Sequence, residues 1–323
     1  MAADRGVYRM ALAGIALASV VVVLGAYTRL VDAGLGCPDW PGCYGQLGVP
    51  TGADEIARAE AAFPDAPVEA DKAWVEMIHR YAATALGALI LVTLGLAVKN
   101  RQRWRLPAGL AVLVIAQGAF GAWTVTLKLW PQVVTAHLLG GFATLALLGV
   151  LALSERPAPL FRVDRSLKRL ATLALAVVMV QVALGGWLTS NYAALACPEF
   201  PTCHGEWLPE MDFGTGFDVT QTVGPNYLGG LLSSDARVAI HFAHRVGAIA
   251  VLLVVGVLAW RLGNRALGWS LTAVLGVQLG LGIANVVFAL PLAVAVLHNA
   301  GAAGLMLMLV AVRLSCDAGI VRR

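Results

Sequence analysis

The chain has 323 residues, 59% of them hydrophobic and only 13% charged, with a mean hydropathy of +0.76. Soluble domains run near half apolar and a quarter charged, so a soluble globular fold is excluded and a membrane protein is indicated. The net charge of +4 does not mark a nucleic-acid binder, because acidic and basic residues are segregated along the chain in the way that sets membrane orientation.

A hydrocarbon core about 30 Å thick needs about 20 apolar residues per helix. Eight runs qualify: residues 10–30, 74–98, 107–127, 132–153, 168–189, 237–260, 266–289 and 291–313. The pattern predicts an all-α membrane protein with eight transmembrane helices. The first run is too long for a signal-peptide core and lacks a small-residue cleavage site, so it reads as a retained span. Basic residues cluster at Lys99, Arg101, Arg103 and Arg105, and at Arg156, Arg162, Arg165, Lys168 and Arg169. Arg261, Arg265, Arg313, Arg322 and Arg323 follow, and threading eight spans puts all of these on one side with Arg5 and Arg9. By the positive-inside rule that side is cytoplasmic, which places both termini inside a cell membrane. The opposite side receives two long acidic loops, 31–73 and 190–236, nearly free of Lys and Arg. Trp40, Trp74, Trp130 and Trp207 fall at or beyond the outer boundary, and Trp104, Trp260 and Trp269 mark the inner one, as an aromatic belt would.

The chain is written twice. Gly25–Cys43, ending in Cys-Pro-Asp-Trp-Pro-Gly-Cys, is echoed by Gly185–Cys203, ending in Cys-Pro-Glu-Phe-Pro-Thr-Cys. Glu76-Met-Ile-His79-Arg80 is echoed by His241-Phe-Ala-His244-Arg245. Gln117 and Gly121 match Gln278 and Gly282, and Pro131 and His137 match Pro291 and His298. The offset stays near 160 residues, which predicts two tandem four-helix bundles, 1–155 and 156–323. Each unit has an even number of spans, so the halves face the same way. That predicts a pseudo-two-fold axis along the membrane normal rather than an inverted repeat.

Of six histidines, only His204 falls in a loop. Ionisable side chains inside spans are costly to bury and mark a functional interior. One isolated histidine would read as a core residue bonded to a neighbouring helix, but four equivalent ones do not. His79, His137, His244 and His298 lie level, about 10 Å below the outer interface at 1.5 Å per residue. In each half two imidazoles therefore face each other across a bundle, as axial ligands of a haem would. Zinc or copper would ask for a third or fourth close ligand, and only Glu76 and His241 keep that alternative open. Each precedes a histidine by three residues, so it projects toward the same pocket. A carboxylate in one half thus corresponds to an imidazole in the other. Glu76 is a candidate proton acceptor or charge stabiliser, with a hydrogen bond to Arg80 or a neighbouring helix as the plain structural alternative. His241 reads as a pocket residue or a polar bundle contact. Arg80 and Arg245 either reach haem propionates or snorkel outward.

Cys37/Cys43 and Cys197/Cys203 lie in the outer loops on the oxidising side, so a disulfide within each pair is expected. A staple over the bundle mouth and a redox-active pair are both compatible with that. Cys203-His204 is not a covalent haem attachment site, since Cys-x-x-Cys-His is absent. A loop zinc site at His204 has weak support, and Cys316 stands alone on the inner side.

These residues resemble the haem A synthase family of bacterial and mitochondrial membrane enzymes. The resemblance spans all eight runs and rests on Glu76-x-x-His79-Arg80, His137 in Thr-Ala-His-Leu, His244-Arg245, His298 in Leu-His-Asn and the two Cys-Pro loops. It implies oxidation of the C8 methyl of haem O to the formyl group of haem A by successive hydroxylations, for cytochrome oxidase cofactor biosynthesis. It implies further that His79 and His137 hold the substrate haem O, that Glu76 is the catalytic carboxylate, and that His244 and His298 hold a resident haem b. Haem O synthase is then an implied partner, an electron acceptor or donor is required, and a homo-oligomer is compatible with the pattern.

Three rivals share parts of the pattern. A di-haem cytochrome b carrying electrons would need the histidines but not Glu76, and its pockets should be alike. A transporter would place its polar groups at the midplane, whereas here they sit near one face. An outer-face disulfide exchange protein would need a reactive pair beside a quinone pocket.

Overall fold

The computed structural model describes residues 5–101, 103–156, 162–263 and 266–317; of the basic residues used above, Arg265, Arg322 and Arg323 lie outside these ranges. Ten helices and two short strands are present among the described residues: α1 (Arg5–Leu30), α2 (Ala53–Ala62), α3 (Ala70–Lys99), α4 (Arg105–Thr126), α5 (Pro131–Ser154), β1 (Arg162–Val163), α6 (Arg165–Ser190), α7 (Phe213–Gly216), α8 (Ser234–Leu262), α9 (Ala266–Val287), α10 (Leu292–Arg313) and β2 (Cys316–Asp317). Eight helices are long and apolar enough to cross a membrane: α1, α3, α4, α5, α6, α8, α9 and α10. The protein is therefore a multi-pass membrane protein of the all-α class, and the eight helices match the eight apolar runs to within five residues at each end.

Helix contacts follow the duplication. In the first half α1 packs on α3, α3 on α4, α4 on α5, and α5 back on α1. In the second half α6, α8, α9 and α10 close the same ring. The halves meet through α1 with α10, α5 with α6, and α5 with α10. Phe142, Leu145 and Leu148 of α5 and Leu305, Met306 and Leu309 of α10 are almost wholly buried in this central seam. Apolar contact alone does not drive helices together in lipid, so close approach at small residues matters. Gly149 meets Leu307 and Val310 of α10, and Gly186 of α6 meets Thr135 and Leu138 of α5. Outward-facing side chains such as Val112, Ile115, Val180, Leu253 and Val277 stay exposed, the surface that lipid would cover.

Position-equivalent residues from the two halves touch each other in three places. Arg29 Nη2 donates to the Thr189 carbonyl at 2.6 Å, and the Tyr192 hydroxyl donates to Asp32 at 2.8 Å, each pair separated by 160 residues. A side-chain carbon added at Gly149 would touch Val310, 161 residues on.

The four helices that end at the loop-bearing face finish alike. Asp32, Lys128, Tyr192 and Ala289 take left-handed φ values of 48–54°. The next N–H folds back five residues, from Ala33 to Thr28, Leu129 to Thr124, Ala193 to Leu188 and Leu290 to Asn285. This is the Schellman closure, built here without glycine at the left-handed position. At the opposite face, β1 pairs in parallel with β2, Arg162 against Cys316 and Val163 against Asp317. That pairing ties the start of the second half to the segment after its last helix.

Candidate functional site

The four intramembrane histidines come from four different helices: His79 on α3, His137 on α5, His244 on α8 and His298 on α10. His79 and His137 face each other with ring centres 6.5 Å apart and planes at 87°. Two imidazoles sharing one metal ion hold their nitrogens about 2.0–2.1 Å from it, which sets ring centres roughly 6 Å apart. The pair is thus spaced for one ion between them.

Every ring is backed by a glycine of the neighbouring helix. A side-chain carbon added at Gly25 would lie 3.0 Å from His79 Cε1, at Gly282 3.2 Å from His298, at Gly185 3.3 Å from His244, and at Gly121 3.4 Å from His137. Glycine lets the helix backbone lie flat against each imidazole. Three of the four sites add a second device, a glutamine one turn before that glycine. Gln117, Gln181 and Gln278 reach across to Gly140, Gly247 and Gly301, each three residues after a histidine. Gln278 Nε2 donates to the His298 carbonyl at 2.7 Å, and Gln181 Nε2 to the His244 carbonyl at 3.0 Å with its ring nitrogens at 3.1 and 3.3 Å. The fourth site departs: Val21 and Ala82 stand at the positions of the glutamine and the second glycine. The pattern Gln-x-x-x-Gly facing His-x-x-Gly was present in the sequence, and Gln181, Gly140, Gly247 and Gly301 were missed there.

Part of the polar capacity of the pockets is left unpaired among the described residues. The Nδ1 atoms of His79, His137 and His298 are buried without a well-aligned hydrogen bond among the described residues, as are Oε1 of Gln181 and Gln278. Backbone carbonyls of Val21, Gln117 and Gln278 lie near the first three rings. Paired, buried, glycine-backed imidazoles suit a flat prosthetic group with an axially ligated iron. No three of His, Cys, Asp and Glu converge among the described residues, as a zinc or copper site would need.

Glu76 is 4% exposed and its oxygens have partners. Arg80 Nη2 donates to Oε1 at 2.6 Å, and the Cys37 N–H donates to Oε2 at 2.9 Å. Arg80 also donates to the loop carbonyls of Asp39, Pro41 and Gly42. In the second half the Cys197 N–H lies 3.3 Å from His241 Nδ1, and Arg245 donates to the carbonyls of Cys197, Glu199, Pro201 and Thr202. Both residue pairs therefore hold a cysteine loop onto the bundle, with the arginines turned to loop carbonyls.

Both loops are closed by disulfides, Cys37–Cys43 with S–S 2.05 Å and Cys197–Cys203 with S–S 2.04 Å. The acid inside each motif has a mechanical use. Asp39 accepts from the N–H groups of Tyr44 and Gly45, both at 2.7 Å, and Glu199 accepts from the Gly205 N–H and the Thr202 hydroxyl. These bonds hold the carboxyl of Glu199 below the ordinary carboxylate range. The first loop packs Tyr44 edge-on against Phe63 just past α2. The second reaches over the first half, where Trp130 Nε1 donates to Gln221, Gln132 to Val219, and the Tyr227 N–H to Lys128. His204 is occupied with the Ala196 carbonyl at 2.9 Å.

The chain is 48% identical to a protein of Shewanella oneidensis named Heme A synthase, over 91% of each chain. It is 30% identical to a Heme A synthase of Caulobacter vibrioides over 90% of each, and 28% identical to one of Paracoccus denitrificans over 92% of this chain and 84% of that one. Residues 8–310, which take in all four histidines and both cysteine loops, match the COX15-CtaA family, and the chain belongs to that family of cytochrome oxidase assembly proteins.

Proposed function

We propose that this protein is a haem A synthase, an oxidoreductase that converts the C8 methyl of haem O to the formyl group of haem A. The observation that carries the reading is the facing pair His79 and His137 at 6.5 Å, in a chain whose relatives are named for this activity. Residues 1–155 form the half that holds substrate haem O between these two histidines. Residues 156–323 form the half that holds a resident haem b between His244 and His298. When bound, the resident haem supplies one-electron chemistry through its iron. The departure at Val21 and Ala82 supports this division, because in the half that must exchange its occupant one of the two histidines, His79, lacks the glutamine and glycine present at the other three.

The touching pairs Arg29–Thr189, Asp32–Tyr192 and Gly149–Val310 support a pseudo-two-fold along the membrane normal, since only near such an axis do equivalent residues meet. With the basic ends inside, both termini are cytoplasmic and the cysteine loops lie outside. Haem O synthase would then deliver substrate from within the same bilayer.

The oxidation replaces two hydrogens of a methyl group with one oxygen, so protons must leave the porphyrin edge. Glu76 shares a helix face with His79 and is the carboxylate assigned to accept them or to balance developing charge. Arg80 and the Cys37 N–H hold its two oxygens in place. Arg80 and Arg245 steady the loops over the two pockets. A di-haem electron carrier is the second reading, and it would tolerate loss of the carboxylate. Haem extracted from membranes that also make haem O decides between them. Wild type should yield haem A, and Glu76→Gln should accumulate haem O, because a positioned acid or base is worth about 10²–10⁴-fold. Haem A at wild-type level from Glu76→Gln would leave Glu76 only its role under the cysteine loop, whereas haem A that persists when the whole protein is removed would favour the carrier.

A further inference from the structure

The face opposite the cysteine loops carries a second built feature, remote from the histidines. Arg165, Lys168, Arg169 and Thr172 of α6 and Arg313 of α10 line a cleft of about 300 Å³. That volume sits at the lower end of the range for ligand sites, about 300–1,000 Å³. Among the described residues, four cationic side chains converge here with no acidic side chain in the lining. Among the described residues none of Arg165, Arg169 and Arg313 forms an ion pair. Asp164, the nearest acid in sequence, is turned to the backbone, accepting from the Leu167 N–H at 2.8 Å as the cap of α6. The convergence is held by structure rather than by chance of rotamers. α6 and α10 pack together, and β1 against β2 fixes the chain just before α6 beside the chain just after α10.

The cleft follows the duplication in part only. At the offset of 160–161 residues, Arg165 and Arg169 correspond to Arg5 and Arg9, whereas Lys168 and Arg313 correspond to Tyr8 and Ala152. Lys168 and Arg313 are therefore not part of the repeated plan that serves the histidines. Like charges crowded at a helix start are unfavourable by themselves, the more so at the positive end of a helix dipole. An anion in the cleft is attracted to each of these cations and so offsets their mutual repulsion. The cleft lies at the ends of two membrane-crossing helices, at headgroup depth, where the anion at hand is a phosphodiester on an acyl-chain anchor.

We infer that this cleft binds the phosphodiester headgroup of an anionic membrane phospholipid. The guanidinium groups of Arg165, Arg169 and Arg313 supply paired donors for phosphate oxygens, Lys168 adds a point charge, and Thr172 offers a hydroxyl. The inference needs the protein to sit in a bilayer but is independent of its haem chemistry and of which leaflet the cleft faces.

The test uses the full-length protein, haem-loaded and delipidated in neutral detergent. Phosphatidylglycerol or phosphatidylcholine is titrated in, with bound lipid counted by native mass spectrometry and unfolding followed by temperature. Phosphatidylglycerol should bind and raise the unfolding temperature, and phosphatidylcholine should not. The double variant Arg169→Gln/Arg313→Gln should bind phosphatidylglycerol about thirtyfold more weakly, at about fivefold for each basic residue removed. If that variant fails to retain its haem spectrum, Arg165→Gln/Lys168→Gln serves in its place with the same expectation. Arg103→Gln/Arg105→Gln, on the same face outside the cleft, should bind as wild type does. Equal binding of both lipids, or equal losses from the two arginine pairs, would reduce the effect to diffuse surface charge and overturn the inference. So would inorganic phosphate at millimolar level giving the full stabilisation, which would make this a site for a free anion.

Discussion

The glycines behind the histidine rings allow the site to be tested without touching a ligand. Replacing Gly25 by Ala puts a methyl 3.0 Å from His79 Cε1, whereas ordinary van der Waals contact begins at 3.4 Å. The ring must therefore give by a few tenths of an ångström, away from α1. Overpacking of this kind costs about 1–3 kcal/mol, equivalent to roughly 5–150-fold in affinity. The same change at Gly121 brings its methyl to 3.4 Å from His137, which needs almost no adjustment. Gly→Ala within a helix should otherwise stabilise the fold by about 1 kcal/mol, so loss of haem and loss of fold move in opposite directions. Haem is titrated into haem-depleted protein and followed by absorbance, with unfolding of the depleted protein measured in parallel. Gly25→Ala should weaken binding most, Gly121→Ala least, and Gly185→Ala and Gly282→Ala should fall between. A larger loss from Gly121→Ala than from Gly25→Ala, or unchanged affinity in all four, would refute the packing argument.

His244→Ala and His298→Ala should each abolish the low-spin spectrum of the resident haem, read in reduced-minus-oxidised difference spectra; an unchanged spectrum in both removes that pair from consideration. Mass mapping without reductant should recover Cys37 joined to Cys43 and Cys197 joined to Cys203. Cys37→Ser/Cys43→Ser should cost on the order of 2 kcal/mol for so short a loop, seen as a lower unfolding temperature. The carboxyl of Glu199 is held low by its hydrogen bonds, so its contribution is complete above the ordinary glutamate value of about 4.3 and is lost as pH falls through its lower folded value. Hydrogen exchange at the Gly205 amide should accelerate on acidification over that range in wild type, and should be fast and independent of pH-linked protonation in Glu199→Gln once intrinsic exchange is subtracted.

The eight spans could be read from composition because a bilayer imposes length and apolarity on each helix separately. Their ends were displaced by at most five residues. The duplication was equally legible, since two copies of Cys-Pro-x-x-Pro-x-Cys and of the histidine pairs survive as plain sequence. The short helix α2 was missed because its ten residues are too few for a span, although Glu55, which accepts from the Thr51 and Gly52 N–H groups, stands at capping-box spacing from Gly52. Nor could sequence tell where Arg80 and Arg245 point. A long side chain at a helix end reaches outward or inward at similar cost, and the neighbouring carbonyls that capture both lie about 40 residues or more away along the chain.

Depth along the membrane normal follows from counting residues, so the sequence by itself carried the expectation that four histidines lie level, and it determined that two halves repeat. Lateral position does not follow from counting. Which helix backs which ring, and that Gly25, Gly121, Gly185 and Gly282 meet His79, His137, His244 and His298, was decided only by the packing of α1 on α3, α4 on α5, α6 on α8 and α9 on α10. The same holds for the cations of α6 and α10, separated by nearly 150 residues and joined by a parallel strand pair. A periodic apolar sequence states how far a helix reaches across the bilayer, but its rotation and neighbours depend on small residues and interhelical hydrogen bonds that act only once the helices have met.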